Sequence, residues 1–109
     1  DKIKYFGEAQ DLLVEINKEL EKKDKNEHLR GWILSELATN YGSQLQILRD
    51  EKVRDLQKIK KTYISMLEAV TMARGVLVDS FHALDVCAWA SLCLLRDEKI
   101  NNEFKGKQR

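Results

Sequence analysis

The stretch QLQILRDEKVRDLQKIKKTYISMLEAVTMARGVL, residues 44–77, decides the fold. It contains no Pro, and Gly75 is its single Gly. Within it Leu56, Ile59, Tyr63, Met66, Val70, Ala73 and Leu77 recur at alternating steps of three and four, the pattern of helices packed side by side. Lys52 interrupts this register upstream, where Leu45, Leu48 and Val53 carry the apolar face instead, and Ile64 and Leu67 form a flanking line. With no strong breaker from residue 44 to about 73, the expectation is one long helix of roughly 45 Å, more than a compact domain of this size needs. A projecting helix of that kind has to pack on something.

Working outward, residues 2 to 23 are expected to form a first helix. Ile3, Phe6, Leu13, Ile16 and Leu20 make its apolar stripe, with Ala9 filling the gap and Glu8, Glu15, Glu19 and Lys22 on the other side. The run from Glu21 to Asn26 has no apolar residue and predicts a solvated end and loop. A second, shorter helix over 27–40 buries Leu29, Trp32, Ile33 and Leu37. Its end is signalled by Asn40 or Gly42, which take the left-handed cap conformation, and by Ser43, which can cap the next helix. Around Arg74-Gly75 the third helix can end, and Asp79 or Ser80 offers an N-cap for a fourth helix running to about Phe104.

Composition agrees with few, long helices. The 109 residues hold no Pro and five Gly, are 43% hydrophobic and 34% charged, and suffice for one domain without disulfide or metal support. The fold expected is therefore all-α: an antiparallel up-down bundle of four helices with the third the longest and the fourth at the centre. The alternative is three long helices, the second and third fused across Gly42. Residues 1–104 make the single domain and 105–109 a basic tail.

The segment 76–95 stands apart. From Val86 to Leu95 every residue but Ser91 is apolar, and a helix apolar on all sides is buried on all sides. Its place is the centre of the bundle, an interface with a partner, or a membrane. Asp79, His82 and Asp85 disfavour the membrane, since each ionisable group costs several kcal/mol there, on the order of 3. Ala83, Cys87, Ala90 and Ser91 line one side and permit close helix approach, while Trp89, Leu92 and Leu95 supply bulk elsewhere. The candidate partner or oligomer interface is thus Trp89, Leu92, Leu95, Ala83 and Cys87.

Site chemistry is sparse. Asp79 and His82 have the i, i+3 spacing of a metal half-site, with Asp85 a turn further, but a di-iron bundle needs two such motifs. His28, beside Glu27 and four residues after Asp24, does not supply the second. Cys87 and Cys93, six residues apart on one helix, are separated by roughly 600° of rotation and 9 Å, so they do not pair with each other. Apolar surroundings raise a thiol pKa and leave it inert. No phosphate loop, zincin pattern or Cys-x-x-Cys occurs. No catalytic residue, metal or cofactor is expected, and the reading is of a non-enzyme.

The 19 basic and 18 acidic residues give a formal net charge of +1, not the basic excess of a nucleic-acid binder. Lys52, Arg54, Lys58, Lys60 and Lys61 form the densest basic stretch, interleaved with Asp50, Glu51 and Asp55. That mixture suits a solvated helix face. The expected function is a protein–protein interaction or assembly module of adaptor or effector type, self-associating, with a dimer as the first state to look for. The alternative is a small nucleic-acid-binding regulator using the basic stretch. Its turn would be Asn40-Tyr41-Gly42-Ser43, but the helix after it opens Gln44-Leu45-Gln46-Ile47-Leu48 with no cation before Arg49, poor equipment for reading bases. Nucleic acid and membrane are accordingly disfavoured as partners. The chain begins at Asp1, as an excised domain or a mature form would, and the unpaired thiols favour a reducing compartment.

Overall fold

The computed structural model describes residues 2–23, 27–76, 81–97 and 102, and outside 51–55 and Asp97 all of them are helical. Among the described residues four helical elements follow in order: α1 (Lys2–Lys23), α2 (Glu27–Asp50), α3 (Leu56–Val76) and α4 (Phe81–Arg96). The all-α class, the four-helix count and both ends of α1 match the sequence expectation. The positions of the second break and of the central helix do not, nor does the end of α4, which stops at Arg96 with Asp97 outside the helix rather than running to about Phe104.

No break occurs at 39–43. The polar side chains there spend their hydrogen bonds on packing rather than on capping. Thr39 Oγ1 donates to the Ser35 carbonyl at 3.0 Å, one turn back in the same helix. Asn40 Nδ2 reaches across to the Phe6 carbonyl of α1 at 3.0 Å. Gly42 is carried inside α2 at a propensity cost of about 1 kcal/mol relative to Ala, which burial on both sides of it offsets.

The helix ends instead after Asp50, for a reason visible in the wheel. Continuing α2 would place Glu51, Lys52 and Asp55 three, four and seven residues beyond the buried Leu48, on its core-facing stripe. Uncompensated burial of charge is prohibitive, so residues 51–55 leave the helix and Val53 stands 86% exposed. Asp55 then starts α3. Its Oδ1 accepts from the Lys58 backbone N at 3.1 Å, and its carbonyl accepts the first helical bond, from Ile59 N at 3.0 Å. The expected single helix over 44–73 is therefore two pieces, the three-helix alternative fails with it, and α2, at 24 residues against 21 for α3, is the longest element.

The centre is α2. Among the described residues it packs against all three other helices, α3 and α4 meet each other, and α1 meets only α2. Its apolar buried residues Leu34, Leu37, Ala38, Tyr41, Leu45 and Leu48 form one stripe, and buried Gly31, Ser35, Asn40 and Gln44 beside it extend the covered surface past half the circumference. They join Ile59, Met66, Ala69 and Val70 of α3 in the core, against which Leu13 and Val14 of α1 and Leu84 and Cys87 of α4 also pack. The seam read from the sequence holds at Ile59, Met66, Val70 and Ala73, all buried, with Tyr63 half-buried. Leu29 and Trp32, expected in the core, lie exposed at the start of α2, and Ile33 is half-buried.

The α1–α2 contact is fixed by buried amides. Gln44 Nε2 donates to Gln10 Oε1 at 2.9 Å and to Asn40 Oδ1 at 2.6 Å. Nearer the loop, Arg30 Nε donates to Asn17 Oδ1 at 3.2 Å, and Arg30 Nη2 pairs with Glu21 at 2.9 Å. Each net contribution is about 1 kcal/mol, but a shift of α1 would strand several buried polar groups at once, which fixes its register.

Candidate functional site

The sequence placed the candidate interface on the last helix, and the structure shows how that helix sits. Leu84 and Cys87 pack against the core, and Tyr63 Oη and Ser91 Oγ share a hydrogen bond of 2.9 Å. These residues, at steps of three and four, define one inward stripe. An ion pair between Arg54 and Asp97 ties the end of α4 to the 51–55 connection. Among the described residues the inward stripe of α4 thus joins Leu84 to smaller or polar side chains, and the largest side chain, Trp89, points away from it. Trp89 is 62% exposed and Leu92 40% exposed, alongside exposed Asp85, Ala88 and Arg96.

This departs from the picture of α4 as the buried centre. An all-round apolar helix resting on two neighbours has to leave one apolar side uncovered, and Trp89 and Leu92 are that side. Of the five interface candidates, Trp89 and Leu92 are exposed and Cys87 is half-buried with a free thiol. The side chains of Ala83 and Leu95 lie outside the described residues, as do Asp79, the tail 105–109 and the side chains of His82 and Cys93.

The basic stretch is not one face of one helix. Lys52 and Arg54 belong to the 51–55 connection, where Arg54 is engaged by Asp97. Lys58, Lys60 and Lys61 lie on the first turns of α3, with Lys58 and Lys61 exposed and Lys60 half-buried. Three or more His, Cys, Asp or Glu side chains do not gather into a metal-binding group among the described residues. No helix among them is long and apolar enough to cross a membrane.

One apolar surface escaped the sequence reading. On α1, Ile3, Phe6, Leu13 and Val14 face the bundle, while Tyr5, Ala9, Leu12, Ile16 and Leu20 make a second stripe about 115° away around the helix. Leu12 is 60% exposed, and a shallow groove runs along it, lined by Leu12, Glu15, Ile16, Glu19 and Leu20. The signal was present: residues 5, 9, 12 and 16 repeat at steps of four, three and four. Merging Ile16 and Leu20 with the inner stripe hid it.

Burial pushes the Tyr41 phenol above its ordinary value of 10.0, and the carboxylates of Glu68 and Asp11 push the same way. Below about pH 10 the group is neutral in both folded and unfolded chains and adds no pH dependence. Above that, the unfolded chain loses its proton first, so the folded state holds more protons and stability falls as pH rises. Urea melts between pH 8 and 11 are expected to show this decline, and Tyr41→Phe is expected to flatten it. Identical slopes for the two proteins would show that Tyr41 is not the group responsible.

No protein-family model matches this chain, and neither does any characterised protein or solved structure.

Proposed function

We propose that the chain is a non-enzymatic protein-interaction module, an up-down antiparallel bundle that self-associates, with the outer side of α4 as its principal contact. The observation that carries this reading is the placement of Trp89 and Leu92. A Trp of which more than half stands in water, next to an exposed Leu on a helix with almost no polar residues, forfeits a large hydrophobic gain unless a second protein covers it. Exposed Trp residues of this kind dominate binding energy where they are buried on association. A neighbour packed on α4 would also cover Ala88, whose small side chain permits close approach.

Trp89→Asp tests the reading. Because the site is exposed in the single chain, the variant is expected to keep its helicity and cooperative melt. Self-association, followed by light scattering over a hundredfold concentration range, is expected to weaken by about thirtyfold or more, the measure of a binding hot spot. A folded variant that associates like wild type would remove α4 as the contact. Collapse of the fold would mean that Trp89 is core.

A further inference from the structure

The exposed side of α4 has a symmetry of its own. Among the described residues of that helix, Asp85, Ala88, Trp89, Leu92 and Arg96 stand in water. Asp85 and Arg96 are eleven residues apart, close to three full turns, so they lie on one line along the helix about 16 Å from each other. Trp89 and Leu92 fall between them, roughly 30° to either side of that line. The arrangement is centred between Ala90 and Ser91: Asp85 and Arg96 are equally far along the chain from that point, and so are Trp89 and Leu92. An acid therefore closes one end of an apolar strip, and a base closes the other.

Those two charges are neither diluted nor already engaged. Phe81–Arg96 holds no other Asp, Glu, Lys or Arg, and its single His, His82, is neutral in the formal count. Among the described residues neither Asp85 nor Arg96 takes part in an ion pair. The acid next along the chain, Asp97, is the one that Arg54 holds. The side chains that pack α4 on the bundle, Leu84, Cys87 and Ser91, lie on its other side and leave the strip free along its length.

We infer that the outer strip of α4 docks antiparallel on the same strip of a second copy of this chain, across a twofold axis level with Ala90 and Ser91. This rests on the self-associating reading above and names the surface that meets α4 there. In that pairing Asp85 of each copy falls level with Arg96 of the other, and Trp89 of each falls level with the other's Leu92. A parallel pairing would set Asp85 against Asp85 and Arg96 against Arg96, so charge selects the antiparallel one. The occupant is a second copy because the strip is its own complement, apolar middle to apolar middle and acid to base, with neither charge facing its like. Each strip is covered by the other, so assembly closes at two chains.

The test exchanges the two charges within one chain. Asp85→Arg alone and Arg96→Asp alone each turn both ion pairs into repelling pairs, and each is expected to weaken the dimer about tenfold. Asp85→Arg combined with Arg96→Asp rebuilds both pairs in the opposite sense, and its affinity is expected to return to within about threefold of wild type. Mass is followed by light scattering across a dilution series, and circular dichroism checks that each variant is folded. Single reversals that dimerise like wild type, while Trp89→Asp does not, overturn the antiparallel pairing and leave the α4 contact standing. Reversals that stay weak when combined, or a wild-type mass that grows past two chains, overturn it as well. If a reversal unfolds the chain, Asp85→Asn and Arg96→Gln take its place, each expected to weaken the dimer about threefold. Unchanged affinity in both of those overturns the inference. A wild type monomeric at every concentration removes the self-associating reading itself, and the antiparallel pairing with it.

Discussion

Ile59→Ala is expected to lower unfolding stability by about 2–4 kcal/mol, through lost transfer energy plus the cavity left behind. Ile59, the first fully buried side chain of α3, enters the core one turn after the Asp55 cap. Its neighbours belong to two helices held by many other contacts, so they have little freedom to close over the gap. Against a total of roughly 5–15 kcal/mol the loss is large, but it leaves a folded population in water at 25 °C. Urea denaturation followed by circular dichroism is expected to show a lower midpoint with an unchanged slope. Ile64→Ala, on the same helix but half in water, is the control, and less than about 1 kcal/mol is expected there. Equal effects at the two positions would mean that α3 is rotated from the orientation described.

Ala38→Leu is expected to destabilise by about 1–3 kcal/mol, even though it adds apolar surface. Ala38 of α2 is fully buried in the same cluster as Ala69 of α3. Small side chains at such points set how closely two helix backbones approach. In a core packed to ordinary protein density the added atoms have no room, so they displace neighbouring side chains from relaxed rotamers or push α3 outward. Thermal melting reports the effect as a fall of about 5–20 °C for a domain of this size. An unchanged or raised melting temperature would reveal space between α2 and α3. Taken with Ile59→Ala, the pair brackets the packing of one interface from both directions.

How far the sequence carried the reading depended on whether a signal was local. The stripe of α1 and the seam from Ile59 to Ala73 are periodic apolar patterns, and both were legible. Position 55 was less so. An Asp three residues before Lys58 is an N-cap signal, and the charges at 51 and 52 would fall on α2's buried stripe, but an apolar pattern resuming at Leu56 made the stretch look continuous. Asn40 misled for the opposite reason. Its side chain suits a cap, and only the presence of Phe6 across the α1–α2 contact shows that the amide is used there instead. Composition likewise favoured α4 as the centre, since it is the most apolar segment. The centre went to α2, whose buried face includes Ser35, Asn40 and Gln44, because centrality follows from how many helices surround an element. At the candidate site, Trp89 and Leu92 could be singled out from sequence, but their outward direction could not. That direction depends on Tyr63 and Ser91 meeting across 28 residues of chain.

The attachment of α1 to a single neighbour has a kinetic meaning. A helix held by several partners leaves only when much of the domain unfolds, whereas one that among the described residues meets α2 alone can lift away while α2, α3 and α4 stay folded together. Such an opening exposes the Asn40 and Gln44 amides, which exchange their partners on α1 for water at little net cost. Part of the price of opening is thereby refunded, as it would not be for a purely hydrocarbon contact. Amide hydrogens along α1 therefore exchange with solvent by a shorter route than those of α2.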